Sequence, residues 1–181
     1  MTKVPTIKGS KFILRGLNPK KDKESLWKNI NNPNIINKIT LDYPYNEEQW
    51  IGLLKWNEKM ENGESGDFQF MIDIDGKIVG AVGLMISKKE SFKHVGKIGY
   101  WLAQQYWGQE IVPEAVRLIC NYAFKELNLL KLKIDFLEDN NNSKRVAEKN
   151  DFKFEFITYK EAFREGKYKN LVYYSKFNPN Y

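Results

Sequence analysis

Two residue types that build metal centres and covalent catalytic machinery are nearly missing from this chain, which has one cysteine, Cys120, and one histidine, His94. A lone cysteine forms no intrachain disulfide, and its mid-helix position beside apolar neighbours reads as a small core residue rather than a nucleophile. His94 has no Cys or His companion at ligand spacing and no Ser or Cys at motif spacing for a triad, so no metal site is assigned and His94 reads as a surface residue. Long apolar runs are missing too. Nothing approaches the roughly eighteen residues of a membrane span, and Met1–Pro5 opens without the apolar region of a secretory signal, so the protein is expected in the cytoplasm and off the membrane. No internal repeat, low-complexity linker or second domain interrupts the sequence. It reads as one domain over residues 1–181.

What is present is core-forming material and positive charge. Hydrophobic residues make up 42% and aromatic residues 14%, enough to fill one core. The formal net charge of +6 favours anionic partners, either a polyphosphate cofactor or nucleic acid. Basic side chains are interleaved with acidic ones, and a cluster as short as Lys20, Lys21 and Lys23 reads as a solvated helix face. Nucleic-acid binding needs a continuous basic face that the sequence does not display, so it ranks behind a cofactor.

The chain is organised around Ile98–Ala115, which reads as a strand, a tight loop and the opening of a long helix. A helix start leaves backbone N–H groups unpartnered at the positive end of the helix dipole, which suits an anion. Pro113 fits a first helical position and Glu114 a first turn. Ala115, Leu118, Ile119 and Tyr122, widened by Val116 and Ala123, form a helical stripe expected to lie on a sheet and to end near Asn128.

Elsewhere, Phe12–Leu17 reads as the first strand, and Asn18-Pro19 opens a helix carrying Leu26, Trp27 and Ile30 that Pro33 ends. Asn46 and Gln49 are spaced as a capping box for a helix with Trp50, Leu53 and Leu54 on its apolar face. Phe68–Asp73 and Lys77–Ile86, joined by Asp75-Gly76, read as a hairpin, with a loop from Ser87 to Lys93 beyond it. Leu130, Leu132, Ile134 and Phe136 alternate as a strand, as do Phe152, Phe154 and Phe156; Glu165-Gly166 then turns the chain into a last strand at Leu171–Phe177.

A second segment gives the first its meaning. Asn140-x-x-Ser143-x-Arg145-Val146-x-Glu148-Lys149-x-Asp151-Phe152 resembles a signature of the GNAT superfamily of N-acetyltransferases, in the branch that includes the ribosomal-protein N-terminal acetyltransferases, with Asp151 in a glycine place. Ile98–Leu102, Tyr106-Trp107-Gly108 and Glu114-Ala115 are similar to the same branch's cofactor strand and loop. Lys160, Ala162, Gly166 and Tyr174-Ser175 resemble its closing hairpin. The resemblance implies an α+β fold (α/β mixed), with a central mixed, mostly antiparallel sheet flanked by helices.

It also implies acetyl-CoA as cosubstrate. Tyr100, Trp101 and Leu102 would lie on the strand that pairs with the pantetheine arm, while Trp107, Gly108, Gln109, Glu110, Ile111, Val112 and Pro113 would wrap the pyrophosphate. Asn140 would hydrogen-bond the pantetheine arm, and Ser143 would protonate the departing thiolate. In many relatives that donor is a tyrosine four residues further along, where this chain has Ala147. Asp135 and Glu138 are the candidate bases for the amine, and Lys97 stands where relatives often carry a glutamate. Backbone N–H groups at the strand end would polarise the thioester carbonyl.

The phosphate-loop pattern is met by Gln105 and Gly108 and broken by Glu110. A positive φ there would cost on the order of 1 kcal/mol, and a carboxylate about 6 Å from a phosphate would add from roughly 0.7 kcal/mol per charge in water to about 3 kcal/mol at an effective dielectric of ~20.

The expected function is therefore transfer of an acetyl group to a primary amine, in a ternary complex. The acceptor is left open between a protein N-terminus and a small polyamine-like or drug-like molecule. The alternative is a non-catalytic CoA-binding module, motivated by Glu110, Asp151, Lys97 and the missing tyrosine. Residues 34–45, with the loop around Asp42 to Tyr45, and residues 159–168 would wall the acceptor cleft. A homodimer is compatible with the sequence, which does not fix the oligomeric state.

Overall fold

The computed structural model describes residues 4–39, 41 and 43–181. Eight strands form one sheet: β1 (Ile7–Lys8), β2 (Ile13–Arg15), β3 (Phe68–Ile74), β4 (Lys77–Ile86), β5 (Val95–Leu102), β6 (Lys131–Leu137), β7 (Lys153–Arg164) and β8 (Lys167–Phe177). Their spatial order is β1-β2-β3-β4-β5-β6-β8-β7. Every neighbouring pair is antiparallel except β5 and β6, which run parallel because α4 (Ile111–Lys125) crosses over between them. This is the mixed, mostly antiparallel sheet the resemblance implies.

Helices cover both faces. On one side, α4 buries Ile111, Val112, Ala115, Val116, Ile119, Cys120, Ala123 and Phe124, packed with Val146 and Ala147 of α5 (Asn141–Lys149) against inward residues of β3 to β6. On the other, α1 (Pro19–Ile30), the short α2 (Pro33–Ile36) and α3 (Glu47–Glu61) bring Leu26, Ile30, Ile36 and Trp50 onto Met71, Ile78 and Ala81. Arg15 ties this layer to the sheet, donating to buried Asp22 at 2.8 Å and to Asp73 at 2.7 Å.

The parallel pair determines where the site lies. Only Val95, Gly96 and Lys97 of β5 pair with Lys131, Leu132 and Lys133 of β6, after which the strands part. Beyond that apex β5 stays bonded to β4 as far as Leu102, and β6 to β8 as far as Leu137. The remainder of β5 is thus an open strand edge inside the sheet, offering unpaired backbone groups on the side that β6 has left.

Several boundaries differ from the sequence expectation. α4 starts at Ile111, so Pro113 is its third residue; the first N–H groups of a helix have no intrahelical acceptor, so proline is tolerated there as well as at the first position. The helix ends at Lys125, and Asn128 follows at φ 52°. β2 is shorter than Phe12–Leu17 and is preceded by β1, a two-residue strand with too little pattern to read. Pro33 opens α2, capped by the Asn32 side chain, as well as following α1. Phe152 is buried, but Phe154 and Phe156 are exposed, because β7 is the outer edge strand and a bulge between them breaks the alternation. Of the Asp42–Tyr45 segment, Asp42 lies outside the described residues, as do the first three residues of Met1–Pro5. The capping box forms as expected: the Gln49 backbone N–H donates to Asn46 at 3.0 Å, and the Asn46 N–H to the Gln49 side chain at 2.9 Å.

Candidate active site

Past the open edge of β5, a 3₁₀ turn at Gln104–Tyr106 leads to Trp107, whose indole N–H donates to the Leu102 carbonyl at 2.8 Å and holds the loop on the strand end. Gly108 at φ 76° and Glu110 at φ 62° then turn the backbone into α4. The left-handed conformation is natural for Gly108 but strains Glu110, which bears a Cβ. Glu110 is the N-cap, and the N–H groups of Ile111 and Val112 open the first turn, where the helix dipole favours an anion. The Glu110 carboxylate is 62% exposed and paired with Lys149 Nζ at 2.5 Å. Solvent and a lysine therefore share its charge, which places its repulsion of a phosphate at the weak end of the range. Arg145 and Lys149 of α5 line the same cavity, of about 300 Å³.

α5 supplies the second wall. Asn140 is buried at its N-cap and accepts from the Ser143 N–H at 3.2 Å, which orients its amide and leaves Nδ2 for a ligand carbonyl. Ser143, half-buried on the first turn, faces Tyr100, whose hydroxyl donates to the Ser143 carbonyl at 3.4 Å. Burial pushes the Tyr100 hydroxyl well above its ordinary range, so it stays a proton donor. Ala147 is fully buried in the core. Asn150, also buried, donates from its one Nδ2 to the Pro113 carbonyl at 3.1 Å and the Val146 carbonyl at 3.0 Å, bracing the start of α4 against the end of α5. Asp151 follows at φ 61°, the conformation a glycine would take without strain.

A larger cavity, of about 820 Å³, opens on the α1 and α3 side of the parted strands. It shares Lys38, Ile39, Tyr100, Trp101 and Ser143 with the first, so the two meet where β5 and β6 separate. Asp135 lines it just beyond the apex; its side chain is 13% exposed and its Oδ1 lies 2.7 Å from Lys97 Nζ. Tyr173, across the β6–β8 ladder from Asp135, has its hydroxyl pushed up first by burial and further by Asp135 and Glu161. Glu138 is not brought here: it is exposed, outside both cavities, and its Oε2 accepts from Asn170 at 3.0 Å.

Sequence reasoning did not single out Lys38, Ile39, Glu161, Phe163 or Arg164, which line the large cavity from its two walls. They fall in the 34–45 and 159–168 segments expected to form the cleft, but nothing in their spacing distinguishes them from ordinary loop and edge-strand residues. The tip of the β7–β8 hairpin is fastened across the cleft, with Asn37 Nδ2 donating to Glu165 at 3.1 Å and Arg164 Nη2 to the Ile39 carbonyl at 3.3 Å.

Residues 11–153 match the family described as the Acetyltransferase (GNAT) domain. The chain belongs to the GNAT acetyltransferase family. It is 28% identical over 178 residues to the "Probable N-acetyltransferase YjcK" of Bacillus subtilis (strain 168), covering 96% of this chain and 98% of that protein. To the ribosomal-protein-serine acetyltransferase of Escherichia coli (strain K12) it is 25% identical over 107 residues, 59% of each chain. The solved structure of ribosomal-protein-S5-alanine acetyltransferase from Vibrio fischeri superposes with a TM-score of 0.83 at 21% identity, covering 97% of this chain and 98% of that one.

This GNAT protein is accordingly an N-acetyltransferase that uses acetyl-CoA as cosubstrate. Its residues fit that cofactor: an open strand edge can hold an amide-bearing arm, and a helix start with free N–H groups can hold phosphate. The cofactor supplies an acetyl group already activated as a thioester. Cys120 gives this acetyltransferase no nucleophile, because it is buried on α4 with its thiol pushed up to about 12.

Proposed function

We propose that this acetyltransferase passes the acetyl group directly to a primary amine lodged in the 820 Å³ cleft, while acetyl-CoA occupies the 300 Å³ groove. The observation that carries this reading is the junction of the two cavities at Tyr100, Trp101 and Ser143, beside the apex where β5 and β6 part. Tyr100, Trp101 and Leu102 present the strand edge to the pantetheine arm. Residues 107 to 113 receive the pyrophosphate, and Asn140 offers its Nδ2 to an arm carbonyl.

The acceptor must lose a proton before it attacks, because an ammonium group has no lone pair. Asp135, which lines the acceptor cavity two residues beyond the last β5–β6 pair, is the base in this reading. Lys97 beside it favours the neutral amine over the ammonium by like-charge repulsion. Ser143 donates to the thiolate as it leaves. Glu138, the other candidate from the sequence, lines neither cavity and has no part in this reading.

Calorimetric titration of acetyl-CoA followed by turnover on an amine panel tests the reading. Micromolar binding and saturable turnover are expected. Binding with no turnover on any amine would favour the non-catalytic module, and no binding would remove acetyl-CoA from the account.

A further inference from the structure

A buried amide in the acceptor cleft has no partner. Gln69, on β3, is 9% exposed and lines the 820 Å³ cavity, yet its carboxamide makes no hydrogen bond with any described residue. Buried polar groups are normally paired, so an amide left bare at the wall of a cavity marks a place where a ligand group completes the bonding.

The sheet beside it carries no side chains. Gln69 is opposite Gly83 of β4, and Gly83 is opposite Gly99 of β5, so two glycines in one row separate Gln69 from the split. The pairs Gly96–Leu132 and Lys97–Lys133 put Asp135 at the level of Gly99 once the strands have parted. All four residues line the same cavity. A Cβ on Gly83 would come within 2.7 Å of Gln69 Oε1, so the carboxamide lies over that glycine, and the Trp56 ring of α3 is 3.8 Å from the same point. The Trp56 indole N–H already donates to Asp67 at 2.9 Å, which leaves the ring as an apolar wall. The charged residues that line the cavity, Lys38, Lys97, Asp135, Glu161 and Arg164, come from none of β3, β4 and α3.

These residues make a slot with a flat backbone floor, an indole wall and an amide at its end. The floor and wall suit a planar group. The lack of charge disfavours an ionised one, whose desolvation nothing there would offset. Neighbouring strands are about 4.8 Å apart, so the row from Asp135 to the carboxamide above Gly83 is on the order of 10 Å, widened by the parting of β5 and β6. A six-membered ring with an amine on a two-carbon chain and a polar atom at its far edge is of that length.

Resting on the transferase reading above, we infer that Gln69 ends a recognition slot for the acceptor: the amine is carried by an uncharged planar ring with a hydrogen-bonding group at its far edge, held between Trp56 and the glycine floor while the amine meets Asp135. Gln69 presents both a carbonyl oxygen and an NH2, so a phenol or a carboxamide finds its partner there. An unsubstituted ring fills the slot but leaves the amide bare, and is discriminated against for that reason.

The test compares three amines that share one ring and one ethylamine chain, at saturating acetyl-CoA: phenethylamine, tyramine and 4-(2-aminoethyl)benzamide. We expect kcat/KM for tyramine and the benzamide to exceed that for phenethylamine by about tenfold. Gln69→Leu should bring the ratio to about one by slowing the two polar amines and not phenethylamine. Gly83→Ala displaces the carboxamide, the free end of a flexible side chain, and raises the floor; it should erase the ranking and slow all three. Acetyl-CoA titration of each variant reports that it is folded.

Equal rates for the three amines in the wild type, a ranking kept in either variant that binds acetyl-CoA, or turnover confined to amines without a ring would overturn the proposal and leave the transferase standing. No turnover of any amine would overturn both.

Discussion

Glu110 is strained in a conformation that suits glycine, yet its backbone is where the phosphate loop must turn into α4. The family pattern flagged this position and Asp151 as places where a small residue is expected, and both have positive φ, so the backbone requirement was legible in the sequence. Its remedy was not, because Lys149 lies 39 residues from Glu110 and meets it only when α5 packs beside α4. Glu110→Gly should relieve about 1 kcal/mol of strain and free Lys149 for the cofactor, tightening acetyl-CoA binding several-fold in a calorimetric titration. Lys149→Met should act oppositely, since it removes a cation and leaves the carboxylate uncompensated; a drop of about tenfold in affinity is expected. Ser143→Ala carries a different signature. Loss of a proton donor used only as the thiolate departs should lower kcat by about a hundredfold and barely move the acetyl-CoA dissociation constant, and turnover equal to wild type would remove Ser143 from the chemistry.

Between elements, the groove depends on how α4 and α5 are held, and a single buried amide does much of that. Asn150 joins the Pro113 and Val146 carbonyls, one from each wall. Replacing it by Leu should cost roughly 1–3 kcal/mol in urea denaturation, because two buried carbonyls lose their donor. The same variant should raise the KM for acetyl-CoA more than it lowers kcat, since it loosens the walls rather than the reacting groups. Elements with local signals were legible: the capping box of α3, the Asp75-Gly76 hairpin and the stripe of α4 are all decided by residues within a few positions of one another. The exposed Phe154 and Phe156 were not. Alternation reports strand geometry, but which face is covered depends on the sheet order, and β7 ends that order as an edge.

At the scale of the whole molecule, the split between β5 and β6 was legible only through the family resemblance; no local pattern says that two parallel strands stop pairing after three residues. The core built on that split also sets an alkaline limit. Burial raises the Cys120 thiol from 9.0 to about 12 and the Tyr45 hydroxyl from 10.0 to about 12, so the native state keeps protons that the unfolded chain releases. Their contribution to stability is whole below pH about 9 and is lost as pH rises toward 12, which denaturation midpoints across that window should register. The split has a kinetic consequence as well. Its two cavities meet along a shared wall at Tyr100, Trp101 and Ser143, so on the proposed reading both substrates are held at once. A covalent acetyl-enzyme would need a nucleophile there, and Cys120 is buried in the core outside both cavities, with Ser143 unsupported by any histidine because His94 is exposed outside both cavities. Initial rates measured over a grid of both substrates should therefore give intersecting double-reciprocal lines, with CoA competing against acetyl-CoA and not against the amine. Parallel lines, or acetyl groups retained on the protein after acetyl-CoA alone, would require a covalent intermediate and overturn direct transfer.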